Sequence, residues 1–437
     1  MNSEAIRRLD NFSGALDPLY GAGAKSKVWQ PNDQPIKLFM FSMLGHYDFL
    51  RQTPVSSAGS ARAEMESVVS PSCAEYLERY SLGLNPRKSE LRVARIADIA
   101  SDPSFLSPSE IRKMQGFHPF QFSMNKNKLK RIEESTQFTW MKAHRLFDNA
   151  EVWVPTAATI LKFNEYFAVT TNGCAIQVTK AEATMKACFE MMERDSFLYM
   201  WWRKEKPIFL NFQETLAKMA PDIHNAFGPW LKRIHLAYFP TCFGIPIFFG
   251  IFRSTNKEGH PAFLLSGGAH LNPRKALASV LLELGCILNH EMMLLDSKKI
   301  EKCRQIYNFD LAINNFHDHT ALYLVDDFAN QVYFIDQIDQ EKPTAHFEDI
   351  ENLETGNIEK DLEYLKQRFR QAGFNPIVVD QTSPEARSQN LHVIRMLDAQ
   401  CIDLNADHSL RKWGKERLFD DRVKSIADLN QMPHPFP

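Results

Sequence analysis

The sequence is poor in the features that mark secreted, membrane-spanning, nucleic-acid-binding and P-loop proteins. Its seven cysteines are scattered through 437 residues with no Cys-x-x-Cys pair, which argues against a disulfide framework and for free thiols in a reducing compartment. No apolar stretch follows the N-terminal MNSEAIRRLD, as a secretory signal would require. The longest apolar run, CFGIPIFFGIF from Cys242 to Phe252, is too short to span a bilayer and carries Gly and Pro. Net charge is -2 with a pI near 6.7, so no global basic field draws nucleic acid or acidic lipid. There is no GxxxxGK[ST] loop, so a nucleotide site in this chain would not be of the P-loop kind. Low-complexity tracts and short-period repeats are also missing. These absences predict a cytoplasmic protein with neither nucleic acid nor membrane as partner.

What remains is an ordinary globular balance, 44% hydrophobic and 24% charged, in a chain long enough for two or three domains. No linker forces a split. Three helical segments stand out. The first runs from about Ser60 to Tyr80, where Pro71 is expected to kink or restart the helix and Ser70 to cap its second piece. The second runs from Lys180 to Trp202 and opens with Thr179 and Glu182 at capping-box spacing. The third runs from Pro273 to about Leu295, with Asn272 as cap and Pro273 at the first helical position. Short runs rich in Ile, Val, Phe and Tyr read as strands: 234–239, 245–251, 321–325, 332–335, 377–379 and 393–397. The pair around Asp326 to Asn330 reads as a hairpin. Strands and helices mixed without strict alternation predict an α+β fold.

The helices carry the chemistry. Glu75, Glu78 and Arg79 form a Glu-x-x-Glu-Arg group, and Glu190, Glu193 and Arg194 form a second. Residues three and four apart share a helix face, so each group presents two carboxylates beside a guanidinium. The third helix carries a lone Glu283 among Ala276, Leu277, Val280, Leu281 and Leu288, a costly place for an unpaired charge if the helix is buried all round. Carboxylates from separate helices suit a hard cation such as Mg2+, which brings nucleotide phosphates with it. Arginines beside them would orient phosphate oxygens. One Glu-x-x-Glu-Arg alone is usually a solvated face with an intrahelical ion pair. Two copies on apolar helices rich in Ala, Cys and Met leave both readings open on the residues alone.

The ordered set resembles the YcaO family. Thr171 to Trp202 (TNGCAIQVTKAEATMKACFEMMERDSFLYMWW) is similar to the family's central signature, and Ser266 to Glu283 (SGGAHLNPRKALASVLLE) to the segment that follows it. Ala58 to Tyr80 resembles the first acidic helix, and DHTALYLVDD and Val379 to Leu418 resemble the C-terminal half. The final PHPFP, which alone would read as a disordered polyproline tail, resembles the Pro-x-Pro-x-Pro ending of the azoline-forming branch. The resemblance implies a YcaO-type ATP-binding fold of mixed sheets and acidic helices, over residues 56–437 and ending in the PxPxP tail. Residues 1–55 would form an N-terminal segment packed on the core; those before 50 carry no interpretable motif.

The same resemblance implies a function. A Cys, Ser or Thr side chain of a ribosomal precursor peptide adds to the preceding carbonyl, and the resulting oxyanion is phosphorylated by ATP. Loss of phosphate then leaves a thiazoline or oxazoline, in a peptide of bacteriocin type. Carried over residue by residue, Mg2+ falls to Glu75, Glu78, Glu190 and Glu193. ATP falls to Glu75, Arg79, Glu182, Glu190, Arg194 and Glu283. Catalytic roles fall to Arg194, to Arg395 and to the Pro437 carboxylate at the end of the tail. Glu182 is equally readable as a capping-box glutamate, and Arg395 as an ordinary surface arginine. Three positions depart from the family pattern: Pro71 replaces a frequent Ser, Cys286 a Gln, and Ala58-Gly59-Ser60 a Gly-Lys-Gly that would bring a basic phosphate contact. The implied partners are the precursor, a protein resembling ubiquitin-activating enzymes that binds its leader, an FMN-dependent dehydrogenase, and a second copy in a homodimer within the complex. Thioamide or amidine formation, or a non-catalytic ATP-binding scaffold, are the competing readings.

Overall fold

The computed structural model describes residues 23–45, 47–48, 53–54, 58–84, 86, 88–161, 164–307, 312–340, 343 and 345–436. They divide into two compact units. The first runs up to Tyr76, resumes over Lys204–Glu354 and takes in the segment from Met432; the second holds Leu77–Arg203 and Thr355–Gln431.

In the first unit, strands Gly23–Trp29, Phe39–Gly45 and Ala58–Arg62 form an antiparallel sheet. A second sheet has the order Phe263–Ala269, Ile247–Arg253, Ile234–Tyr238, Ile208–Asn211, Ala345–His346. Its pairs are antiparallel except the last, which is parallel. The acidic helix α1 spans Met65–Leu82 and α3 spans Pro273–Leu294, while α2, Lys180–Arg203, belongs to the second unit. Asn272 caps α3 by accepting from the Arg274 N–H at 3.0 Å, with Pro273 in the first turn as expected. This helix is long and apolar enough to cross a membrane by composition, but its apolar face is spent on the five-stranded sheet. A Cβ at Gly250 would lie 2.5 Å from a Val280 methyl, and one at Gly268 2.8 Å from the Ala276 carbonyl. Those glycines let the helix lie against the strands. Farther along α3, the buried Asn289 side chain pairs with both the N–H and the carbonyl of Ile36, at 2.7 and 2.9 Å.

The second unit is built on a six-stranded antiparallel sheet. Its order is Leu91–Arg95, Gln137–Arg145, Ile377–Asp380, His392–Leu397 and Cys174–Gln177, with Glu151–Pro155 also paired to Gln137–Arg145. Helix α2 packs on Cys174–Gln177 and His392–Leu397, burying Trp201 and Trp202. A helix not anticipated from the sequence, α4 over Ile358–Gln371, is capped by Asn357 and packs on α2. The α+β class holds.

Two local expectations fail. Pro71 does not restart a helix, and Ser70 caps nothing, because α1 runs continuously through both. The helix gives up only the bond that a Pro71 N–H would have made to the Ser67 carbonyl, and one residue on the Val68 carbonyl accepts the Ser60 hydroxyl at 2.6 Å. The expected strands at 321–325 and 332–335 and their hairpin are instead short helices, Phe316–Leu322, Asp326–Ala329 and Ile335–Gln340. Ala321 to Val325 are buried without a break, and a short, wholly buried apolar run reads alike as strand or helix.

Candidate functional site

In the second unit the site begins at a turn. Gly173 adopts φ 67°, a left-handed conformation that glycine takes without steric cost, and a Cβ there would meet the Met396 carbonyl at 2.8 Å. The turn leads Cys174 into the sheet opposite Arg395. Asn172 donates through Nδ2 to the Leu404 carbonyl at 2.9 Å, which leaves Oδ1 to accept from Arg194 Nη1 at 3.3 Å. The Thr171 hydroxyl lies 3.4 Å from the same nitrogen.

On α2, Arg194 Nη2 stands 2.7 Å from Glu190 Oε1, each side chain about a fifth exposed (20% and 17%). The Cys174 N–H also bonds the Glu190 carboxylate. Burial nevertheless raises the Glu190 carboxyl above its ordinary 4.5, the attraction of Arg194 offsetting only part of that cost. The charges of Arg395, Glu78, Glu190 and Arg194 all reach the Cys174 thiol, which burial holds neutral well above its usual range. Glu78 and Arg79, near the end of α1, are half-buried, as is Glu193, one turn after Glu190.

In the first unit a smaller group surrounds Cys286. Burial, then the charges of Glu75 and Glu283, push its thiol up to about 12, with Arg62 pulling the other way. The residue standing where the family pattern has Gln is therefore a neutral thiol rather than an ionic ligand. Glu283 lies on the exposed side of α3 while Ala276, Leu277, Val280, Leu281, Leu284 and Leu288 are buried. The burial cost expected for it does not arise, because the helix is apolar on one face only. Arg62 was missed from the sequence. It closes the strand Ala58–Arg62 two positions after Ser60, and alternation along a strand puts such a pair on one face. It thus brings a cation to the group that Ala58-Gly59-Ser60 lacks.

Oxygen ligands interleaved with guanidinium groups, and no thiolate, fit Mg2+ and phosphate. Within neither unit do three or more His, Cys, Asp or Glu side chains gather as metal ligands among the described residues. Mg2+ commonly takes one or two carboxylates and fills its other positions with water and phosphate oxygens, so these sets suit a Mg-nucleotide better than an all-protein cage.

Three sequence-named residues have other surroundings. Glu182 is half-buried, its carboxylate accepting from the Thr179 hydroxyl at 2.8 Å while its N–H donates back to that hydroxyl, which realises the capping-box reading. Arg395 is 4% exposed, so it is no surface arginine. Nη1 donates to the Thr159 carbonyl at 3.0 Å and Nη2 to the Thr170 carbonyl at 2.8 Å. The side chain lines a buried cavity of about 30 Å3 shared with Asn172, Asp398 and Lys412. Pro437 lies outside the described residues, whereas Pro433 to Phe436 are buried rather than forming a disordered tail.

The model of one family, YcaO cyclodehydratase with ATP and Mg2+ binding, matches residues 58–397. This chain belongs to the YcaO family. Among solved structures it is similar to a heterocyclase in complex with substrate and cofactor, at 18% identity and TM-score 0.79 over 99% of this chain and 57% of that one. It is also similar to the YcaO protein from Methanopyrus kandleri bound with AMPPCP and Mg2+, at 14% identity and TM-score 0.64, over 91% of each chain. A third is the E. coli microcin synthetase McbBCD complex with pro-MccB17 bound, at 15% identity and TM-score 0.61, over 95% of this chain and 97% of that one. At such identities the likeness establishes the YcaO fold. The chain spans little more than half the length of the first of these, and half of another heterocyclase, TruD. No curated protein matches it in sequence.

Proposed function

We propose that this YcaO chain is the ATP-dependent cyclodehydratase subunit of a complex that converts Cys, Ser or Thr of a ribosomal precursor peptide into azolines. The observation that carries the reading is the pairing of Arg194 with both Glu190 and Asn172 in a family that binds ATP and Mg2+. In the second unit Glu78, Glu190 and Glu193 would offer oxygen ligands for Mg2+ and the nucleotide, with Arg79 and Arg194 as phosphate partners; in the first, Glu75, Glu283 and Arg62 offer the same chemistry. Bound Mg2+ would neutralise charge on the transferred phosphoryl group.

The protein's own part is then mostly positioning. Asn172 and Thr171 hold Arg194 at one guanidinium nitrogen, leaving its fork oriented by Glu190. Arg395 ties the Thr159 and Thr170 carbonyls and so fixes the segment that leads into the Asn-Gly turn. The peptide nucleophile adds to the preceding carbonyl, the oxyanion takes the γ-phosphoryl group of ATP, and phosphate departs with the original amide oxygen. Recruitment of the precursor would fall to a partner resembling ubiquitin-activating enzymes, as the family resemblance implies. A dehydrogenase using FMN would act after ring closure, and a homodimer within the complex agrees with the family resemblance.

The test is phosphate release from ATP by the chain with its partner proteins and precursor, followed by peptide mass spectrometry. Release that needs the precursor, with loss of one water per ring, is the expected outcome. Release without any change in peptide mass would refute azoline formation. For Arg62, Arg62→Ala is expected to weaken Mg-ATP binding about tenfold, the worth of one charge-assisted contact, and Arg62→Lys to recover part of it. Calorimetric titration checks this; unchanged affinity removes Arg62 from the nucleotide site.

A further inference from the structure

Pro433 and Pro435 carry no N–H, so the segment Pro433–Phe436 cannot join a regular ladder, and its buried carbonyls need donors from side chains. Two residues of the first unit supply them. The Tyr323 hydroxyl donates to the Pro433 carbonyl, and His319 Nδ1 lies 3.1 Å from the next carbonyl, that of His434. A carbonyl only accepts, so His319 must carry its proton on Nδ1.

The two donors stand four residues apart, on the short helix Phe316–Leu322 and its C-cap, and therefore project from one face. Both are rigidly set. His319 is fully buried and Tyr323 is 1% exposed; the tyrosine ring packs against Phe328 at 4.9 Å and Phe263 at 5.8 Å. The His319 and His434 rings stack with centroids 4.0 Å apart and planes 14° from parallel. Phe436 meets Phe249 edge-on at 6.5 Å.

We infer that His319 and Tyr323 are positioning residues that seat the Pro433–Phe436 segment during turnover, by hydrogen-bonding two successive carbonyls of a chain that has few donors of its own. This rests on the cyclodehydratase reading for its catalytic consequence, though the anchoring itself does not. Tyr323→Phe keeps the ring packing and removes only the donor. His319→Phe removes the other donor, and His319→Asn restores an N–H near the position of Nδ1.

The experiment uses the full chain with its partners and precursor, beside the same chain lacking 433–437. Tyr323→Phe and His319→Phe should each lower kcat about tenfold, the cost of one orphaned buried carbonyl, with little change in KM, and His319→Asn should recover most of it. In the shortened chain Tyr323→Phe should have no further effect. Hydrogen exchange at the His434 and Phe436 amides should quicken about tenfold in Tyr323→Phe. Unchanged exchange, or an equal loss of kcat in the shortened chain, would overturn the inference. If the unaltered chain forms no azoline, the cyclodehydratase reading fails, and amide exchange alone decides whether the anchor exists.

Discussion

Glu190→Gln is expected to abolish precursor-dependent phosphate release, by at least about a hundredfold, while leaving the ligand-free fold at least as stable at neutral pH. The two halves of this expectation have one cause. Glu190 is drawn out of water beside Arg194, and burial raises its carboxyl above the ordinary 4.5 despite that partner. A carboxyl whose folded pKa lies above its unfolded value gives stability below the unfolded pKa, and that stability is lost as pH rises through the folded pKa. Burial thus makes the ionised form of Glu190 the costlier one for the fold, and a neutral amide of the same shape does not carry that cost. Such a cost is retained where the charge has work to do, here the orientation of Arg194 and the binding of Mg2+. Thermal melting at pH 5 and pH 8 would show the native chain losing stability between them relative to Glu190→Gln. A variant that keeps turnover, or that melts well below the native chain at pH 8, would contradict the assignment.

Asp195, the next residue but four on the same helix, should behave in the opposite way. Its carboxylate is fully buried and holds Arg417 at 2.5 and 2.6 Å, and it accepts the Ile402 N–H at 2.8 Å. Arg417 in turn lies over the Tyr199 and Phe374 rings at 4.9 and 5.0 Å. Burial pushes the Asp195 carboxyl up, with Arg417 pulling it back. Asp195→Ala would leave a guanidinium and a backbone N–H without their acceptor, and should cost about 3 to 5 kcal/mol. Asp195→Asn keeps an acceptor for one of them and should cost less. Urea unfolding measures both; Mg-ATP affinity in the folded fraction should stay within about threefold. Equal costs for Ala and Asn would mean that the orphaned donors are not the reason.

Those two neighbouring carboxylates show how far the sequence could be read. The Glu-x-x-Glu-Arg-Asp run marked α2 as unusual, yet nothing in it separates Glu190, which faces Arg194 and the Asn-Gly turn, from Asp195, which faces residues more than two hundred positions away. Arg395 was nameable only through the family pattern, and its burial between two carbonyls could not be foreseen. Arg62 carried one usable signal, its two-residue spacing from Ser60. The Phe316–Gln340 stretch misled because many of its apolar residues are β-branched or aromatic, and a short buried apolar run reads alike as strand or helix.

The sequence by itself determined α2, α3 and their caps, the Asn172-Gly173 turn, the α+β class and membership in the YcaO family. Each depends on groups within a few residues of one another, where capping hydrogen bonds, helical spacing and the left-handed freedom of glycine act locally. Only the tertiary structure decided that Glu182 is spent on a cap, that Cys286 is a neutral thiol beside Glu75, Glu283 and Arg62, and that Pro433–Phe436 is buried on His319 and Tyr323. Those outcomes depend on which distant groups remove water from a side chain and which partner they leave it, and no local pattern records that.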